Sequence, residues 1–508
     1  MQDMNLEKLF NPQSIAMIGA SANPRKWGLI ILLNILKGNF KGKVYPVNPH
    51  EKSILGFRCC ASVIDIPEVP DLAMITTPAK TVPALIDQCG RKGIPFVVVI
   101  SSDFSETGAE GARLEQDVVE RARRHGIRLV GPNSMGIFSA RSSLHAQMPP
   151  TMPLTGAVSM FSQSGNLGFQ MLGWGAEEGV GFSKFVSSGN EGDVSSVDYL
   201  RYFAADNDTR VILGYLEGVD DGADLIHTAR AISKNKPIII LKGGRTASGG
   251  RAAASHTGAM AGASKLWKAA LRQAGMIEVN TSQGLLDCAK AFANYPLPRG
   301  NRVGIITRGG GWGVITVDGC EENRLEVPPL PQNVVRKLDK ILPRYWSRGN
   351  PVDLVATIAH DPYLESLEIL ASWDGIDAIL ALGAKRGMDA YPYSKEVNKP
   401  KPLVEAITLA TEMIQQYAQQ PDPVLMNLGK LVKRYHKPII AVSLASELSH
   451  RSFLEAFQVV SYPTPERAVR VLSHMADYTR FLARNSEHIP RSKLRGSRVN
   501  YKLVSSSE

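Results

Sequence analysis

The chain has 508 residues, of which 44% are hydrophobic and 21% charged, and a formal net charge of +10. This length suits about three domains of ~150 residues each, and the composition is that of an ordinary globular protein. No run of about 18 apolar residues occurs, and no basic n-region with an apolar h-region opens the chain, so neither a membrane-spanning helix nor a secretory signal is expected.

Short apolar strands alternate with helical stretches, which predicts an α/β fold with parallel sheets covered by helices on both faces. In the first third, strands are predicted at 14–18, 44–47, 72–76, 96–100 and 128–130, with helices at 81–92 and 111–125. A Pro-rich segment, 148–156, reads as the first linker. Strands follow at 157–161, 182–186, 211–215 and 237–242, then a helix over 264–274 and a second linker at 295–301. The last third carries strands at 302–307, 378–382, 438–442 and 459–462. Its stretch 386–427, rich in Pro, Lys and Gln, reads as an irregular insertion with one helix over 403–417.

Residues 480–508 hold Arg480, Arg484, Arg491, Lys493, Arg495, Arg498 and Lys502 against Glu487 and Glu508, which is half of the net charge. This basic, aperiodic tail is expected to be disordered. No zinc finger, RNA-recognition signature or basic patch interleaved with aromatics accompanies it, so no nucleic acid and no membrane is expected as a partner. The remaining excess of positive charge suits a small anionic ligand. Five cysteines in no zinc or redox spacing point to a reducing, cytoplasmic setting and to no metal site in the chain.

Three strand-to-helix turns are rich in small residues. IAMIGAS (15–21) leads into a turn with Arg25, Lys26 and Gly28, where a helix N-terminus favours negative charge. It lacks a full G-x-G-x-x-G, and the next strand ends in YPVNP (45–49) without the acidic residue of a ribose site, which argues against a nicotinamide-dependent oxidoreductase. SQSGNLG (162–168) offers Ser164, Gly165 and Asn166 at a helix start, as an oxyanion site or as a plain N-cap by Ser162 or Ser164. TRGGGWG (307–313) repeats that arrangement.

Segment 243–264 is almost entirely Gly, Ala, Ser, Thr and Arg around a single His256. Such a run buries little surface, so it reads as a loop able to carry a nucleophilic imidazole between two places, or as a solvated loop with an incidental His. Glu217 ends the strand of YLEGV (215–219), at the sheet edge where such folds place ligands. It could accept from imidazole Nδ1 and orient the ring.

Taken with GPNSMGIFS (131–139), SSGNEGDV (187–194), SHTGAMAG (255–262), NPVDL (350–354) and YPTPERA (462–468), these motifs run in consistent order from about Leu9 to Tyr478. In that order they resemble the NDP-forming acyl-CoA synthetases, the family of ADP-forming acetyl-CoA synthetase and, more distantly, succinyl-CoA synthetase. The resemblance implies a Rossmann-like CoA-binding domain over 1–147, two flavodoxin-like ligase-CoA domains over 153–296 and 300–478, and the basic tail over 479–508. It places Gly19, Ser21 and Arg25 near the CoA phosphates, with Asn48, Pro78 and Ser102 along the rest of CoA. It makes His256 the phosphorylated histidine and Glu217 its supporting carboxylate. Ser164, Gly165 and Asn166 would bind phosphate at one helix end, and Gly310 and Gly311 at another. Acyl-CoA, phosphate and ADP would interconvert with carboxylic acid, CoA and ATP through acyl phosphate and phosphohistidine.

No ATP-grasp pattern or P-loop is read in this chain. The resemblance therefore implies an α-type subunit with a separate ATP-grasp β subunit, as a heterotetramer, holding ADP or ATP with Mg²⁺ and acting on a small carboxylic acid. The chain departs from the family's pattern at Arg308, where Asn is common, and at Trp312, where a small residue or Pro is common. These two residues would either line an acyl pocket, with Arg308 pairing an anionic acid, or add charge to the phosphate site, or abolish turnover. A non-catalytic CoA-binding or regulatory protein on the same scaffold is the alternative, and the presence of both His256 and Glu217 argues against it.

Overall fold

The computed structural model describes residues 6–251, 264–355, 361–384, 423–443 and 447–485, together with 402, 404, 405, 408 and 409. Three main sheets carry the fold. Sheet 1 contains β1 (Ser14–Ile18), β2 (Lys43–Val47), β5 (Leu72–Ile75), β6 (Phe96–Val99) and β7 (Arg128–Val130), in the order β2-β1-β5-β6-β7. A small hairpin, β3 (Ser53–Ile54) with β4 (Phe57–Arg58), stands apart. All pairings in sheet 1 are parallel, with Ile15 opposite Val44 and Leu72.

Sheet 2 has β10 (Thr155–Ser162), β11 (Phe182–Ser187), β12 (Val211–Leu216), β13 (Ile238–Lys242) and β14 (Ile277–Val279), with β8 (Gly136–Ser139) and β9 (Leu144–Gln147) at its far edge. Sheet 3 orders β15 (Val303–Thr307), β16 (Val352–Asp353), β17 (Ala378–Leu382), β18 (Ile439–Val442) and β19 (Ser461–Tyr462) as β16-β15-β17-β18-β19. Apart from the β8–β9 hairpin, every sheet has the doubly wound order 2-1-3-4-5. Each therefore has one switch point between its first and third strands, the crevice where such folds bind ligands beyond the strands' carboxyl ends.

The strands form where the sequence offers apolar runs, because parallel strands are buried on both faces. β1, β5, β6, β13, β15 and β17 are buried along their whole length. The hairpin departs from the sequence reading, which keeps everything before 148 with the first domain. β8 instead pairs antiparallel with β11 (Phe185 opposite Phe138), because Ile137, Phe138, Leu144 and Ala146 bury against the core of sheet 2. The helix Pro465–Asn485 also runs past the expected boundary at 478, since Tyr478 and Phe481 pack on sheet 2's side of the seam. Residues 486–508 and most of 386–427 lie outside the described residues, although 423–427 open the helix Pro423–Tyr435.

The cores cross the sheet boundaries. One runs from Phe185 and Leu286 of the second unit to Ile305 and Leu472 of the third. Another joins Leu32 and Phe10 of the first unit to Phe161 and Tyr199 of the second. Phe10 stacks on Tyr202 at 5.1 Å, and Asn34 Nδ2 donates to the Gln147 carbonyl at 2.8 Å. Among the described residues no helix is long and apolar enough to cross a membrane.

Candidate functional site

At the first switch point β1 ends in Gly19, whose φ of +85° suits a residue without Cβ. A Cβ at Gly28 would lie 2.0 Å from the Gly19 carbonyl oxygen, so glycine there lets the helix Trp27–Lys37 press onto the turn. Thr76 Oγ1, from the end of β5, donates to the carbonyls of Ile18 and Gly19 at 3.1 and 3.2 Å and spans the crevice. Ser21 Oγ accepts from Asn23 N, and Asn23 Oδ1 accepts from Arg25 N, which folds the turn and leaves Arg25 and Lys26 exposed at the helix start. Asn48 Nδ2 reaches the Ala20 carbonyl at 2.8 Å. Pro78 and exposed Ser102 follow β5 and β6 on the same carboxyl edge. Gly19, Ser21, Arg25, Asn48, Pro78 and Ser102 thus all follow the carboxyl ends of β1, β2, β5 and β6, with Arg25 and Ser102 exposed.

The second switch point is held by a residue the sequence reading passed over. Gln163 Oε1 accepts from Glu217 N at 2.5 Å and Gly218 N at 3.1 Å, while its Nε2 donates to the Gly218 carbonyl at 2.8 Å. Ser164 caps the helix Gly165–Glu178 by backbone alone, with no side-chain cap bond, so its hydroxyl is not the plain N-cap offered as one alternative. A Cβ at Gly165 would meet Met135 Cγ at 2.5 Å and Ser187 Oγ at 2.9 Å, so this helix start is closely packed. Asn166 Oδ1 accepts from Gln170 at 3.3 Å on the exposed side.

Glu217 is 9% exposed, and its Oε1 accepts from the Tyr215 hydroxyl at 3.1 Å. Burial first, then the adjacent carboxylate, pushes the Tyr215 hydroxyl above its ordinary pKa. Lys242, at the end of β13, donates to the Glu217 carbonyl at 2.7 Å and to the Gly243 carbonyl, and its ammonium lies 5.3 Å from the Trp267 ring centre. Burial lowers the Lys242 pKa, against the opposing pull of Glu217. The chain beyond β13 begins as expected without regular structure, but residues 247–251 are helical. His256 lies outside the described residues.

The loop after β11 joins the first two crevices. Asn190 Nδ2 donates to Glu106 Oε2 at 2.7 Å and Glu115 Oε2 at 2.8 Å. Arg128 pairs with Asp193 and Asp198 at 2.9 and 3.1 Å. The motif 187–194 is thus a staple between sheets 1 and 2, a role that only the spatial pairing of its partners reveals.

At the third switch point Arg308 Nε donates to the Gly383 carbonyl at 3.1 Å, and the guanidinium lies 4.6 Å from the Tyr363 ring centre. Tyr363 is anchored by its hydroxyl to the Leu382 carbonyl. Gly310 and Gly311 open the helix Gly310–Glu322 and are exposed; Trp312 is 41% exposed. Asp353, unremarked in the sequence reading, stands beside this helix end, with Oδ2 3.3 Å from where a Gly310 Cβ would be.

Comparison with known proteins places the chain in a family. A family model described as a CoA binding domain matches residues 13–140, and one described as a succinyl-CoA ligase like flavodoxin domain matches 155–292. The alpha subunit of acetate–CoA ligase [ADP-forming] I of Pyrococcus furiosus is 36% identical over 491 residues, covering 95% of this chain and 100% of the relative. The 4-hydroxybutyrate–CoA ligase [ADP-forming] of Nitrosopumilus maritimus is 30% identical, covering 96% of this chain and 66% of the relative. The structure of the dinucleotide forming acetyl-coenzyme A synthetase 1 of Ca. Korarchaeum cryptofilum, in complex with phosphate and ADP, superposes with a TM-score of 0.80 at 34% identity, covering 96% of this chain and 99% of that one. With doubly wound units of the same kind, in the same order, along almost its whole length, the chain belongs to the NDP-forming acyl-CoA synthetases, as an alpha-subunit chain of their ADP-forming type.

Proposed function

We propose that this chain is the α subunit of an acid–thiol ligase that interconverts acyl-CoA, ADP and phosphate with carboxylic acid, CoA and ATP. The observation that carries the reading is the placing of Glu217. Its backbone is held at the sheet 2 switch point by Gln163, just before the helix Gly165–Glu178, and by Lys242, where the His256 segment leaves β13, while its carboxylate accepts from Tyr215. In this reading CoA lies along Gly19, Ser21, Arg25, Asn48, Pro78 and Ser102, within the domain over 1–147. Phosphate sits on Ser164, Gly165 and Asn166, with Gly310 and Gly311 as the second helix end; Arg308 and Trp312 border the carboxylic acid.

Phosphate attacks the thioester carbonyl, the C–S bond breaks, and CoA leaves as thiolate. His256 then attacks the phosphorus of the acyl phosphate, and the carboxylate leaves. The N–P bond next breaks as the phosphoryl group passes to ADP. Positioning and charge stabilisation are the protein's tasks at each step, which backbone N–H groups at helix ends supply. Glu217 holds the imidazole tautomer and stabilises the cationic ring. ADP or ATP with Mg²⁺ is assigned to a separate ATP-grasp β subunit in a cytoplasmic heterotetramer.

The test is phosphorylation of His256. The chain is purified from its native cells together with its partner and given labelled ATP and Mg²⁺. An acid-labile, base-stable label that disappears in His256→Ala is the expected result. Absence of label with the partner present would overturn the reading in favour of a non-catalytic CoA-binding protein.

A further inference from the structure

Glu217 is fixed from three directions by groups with no part in the chemistry just described. From β10, Gln163 accepts the N–H groups of Glu217 and Gly218 and returns a bond to the Gly218 carbonyl. From β13, Lys242 donates to the carbonyl of Glu217 itself. From two residues earlier on β12, the Tyr215 hydroxyl donates to the carboxylate. The backbone N–H, the backbone carbonyl and the side chain of one residue are therefore each tied to a different element.

The same residues meet the segment that carries His256. Lys242 also donates to the Gly243 carbonyl, tying the turn after β12 to the start of that segment. A Cβ at Gly243 would lie 2.6 Å from the Tyr215 hydroxyl and 3.4 Å from Glu217 Cγ, so only glycine leaves the Tyr215–Glu217 bond in place. Lys242 is 6% exposed, and Trp267 covers its ammonium. Burying an ammonium is costly unless its donors are used, and here they hold carbonyls of exactly those two turns.

We propose that Gln163, Tyr215 and Lys242 are positioning residues that preset the Glu217 carboxylate for an incoming imidazole, with Gly243 as the seat that keeps this arrangement open beside the His256 segment. The inference rests on the proposed function and adds to it the means by which a carboxylate on a turn is kept in one orientation. A turn residue left to itself samples many rotamers. An orienting carboxylate must hold one.

The experiment uses the full complex with its partner subunit and reads the rate of His256 labelling from ATP and Mg²⁺. Tyr215→Phe, Lys242→Met, Gln163→Met and Gly243→Ala are each made alone and in a Glu217→Gln background. Alone, each slows labelling on the order of tenfold, as losses of supporting groups typically do. In the Glu217→Gln background each adds less than about twofold, because residues acting through one group are not additive. A purely structural role would not give the lost additivity. Tyr215→Phe removes one oxygen only, so it keeps the test open if Lys242→Met fails to fold. Single variants that label at the wild-type rate, or losses that persist in the Glu217→Gln background, overturn the proposal while leaving the functional reading intact. Wild-type labelling by Glu217→Gln overturns the proposal and the role given to Glu217, while the label on His256 keeps the relay itself.

Discussion

The crevices of sheets 2 and 3 share one topology and are braced in opposite ways. In sheet 2 an amide, Gln163, crosses to the facing turn with three hydrogen bonds, and the helix that starts there is packed against Met135 and Ser187. In sheet 3 the crossing residue is Arg308, which among the described residues donates to Gly383 and lies over a ring, and the helix start is exposed. Among the described residues, and apart from the chain neighbours and the helix's own backbone, nothing lies within 4 Å of where a Cβ on Gly309 or Gly311 would be. Trp312, Val314 and Ile315 are 41%, 62% and 47% exposed. A closely packed helix end holds its N–H groups in fixed directions, which suits an anion bound in one pose. An exposed end lined by apolar side chains and a guanidinium suits contact with a group that arrives from outside.

The two ends are kept in register through the far end of the first helix, and cutting that tie gives the largest expected effect. Glu178, the last residue of the helix Gly165–Glu178, is 2% exposed and pairs with Lys290 at 2.7 Å and Arg467 at 3.2 Å. Arg467 also pairs with Asp287 at 2.6 Å, and Arg467 belongs to the helix Pro465–Asn485 that packs on the helix from Gly310. Burial alone would raise the Glu178 pKa, but the charge and hydrogen bond of Lys290, with Arg467, hold it below the ordinary carboxyl value. Glu178→Gln leaves buried cations short of a carboxylate and is expected to cost about 3–5 kcal/mol in chemical denaturation. Because the folded value is depressed, this contribution is full above the unfolded carboxyl pKa of about 4.3 and fades as pH falls through the folded value. The gap between wild type and Glu178→Gln should therefore narrow only on the acid side. A constant gap down to low pH would mean that Glu178 stays protonated and that the seam is held by packing alone.

A paired glycine substitution tests the contrast in packing directly. Gly165→Ala drives a Cβ into Met135 and Ser187 and is expected to destabilise by about 1–3 kcal/mol, as overpacking does. Gly311→Ala enters open space and is expected to change stability by less than about 0.5 kcal/mol. Equal melting shifts for the two would show that the second helix end is as closely covered in solution as the first.

Much of this frame is legible in the sequence, for reasons that differ by residue. Buried parallel strands need apolar runs on both faces, so β1, β7 and β17 can be read to the residue. The turns stand out because small residues and a strand-to-helix change coincide there, and Glu217 because a carboxylate closes an apolar strand. The pairing of the hairpin β8–β9 with β11 is not legible, because chain proximity says nothing about which sheet edge offers free partners. β14 and β16 are too short to show a period, and each depends on one neighbouring strand. Gln163, Lys242 and Asp353 are not legible as site residues because their importance lies in partners 25 to 55 residues away, or in a helix end that sequence cannot place. The packing reason for Gly28 and Gly243 is likewise invisible until the facing backbone or hydroxyl is located.

A modest expected effect, at Arg308, decides what the open crevice is for. Asp353 puts negative charge beside the start of the helix Gly310–Glu322, which by itself opposes an anion there. Arg308 restores the balance: its stem lies against Gly383, and its planar head rests on Tyr363. Arg308→Lys keeps the charge but loses the planar stack and the fixed Nε bond, so stability should fall by no more than about 1 kcal/mol. If the crevice borders the carboxylic acid, the KM for the acid rises several-fold in Arg308→Lys and further in Arg308→Met, while labelling of His256 from ATP keeps its rate. If Arg308 instead charges the phosphate site, the KM for phosphate rises and the acid is unaffected. A loss of labelling with both KM values unchanged would place Arg308 in the phosphoryl relay itself, and would mean that the two crevices act on one phosphate.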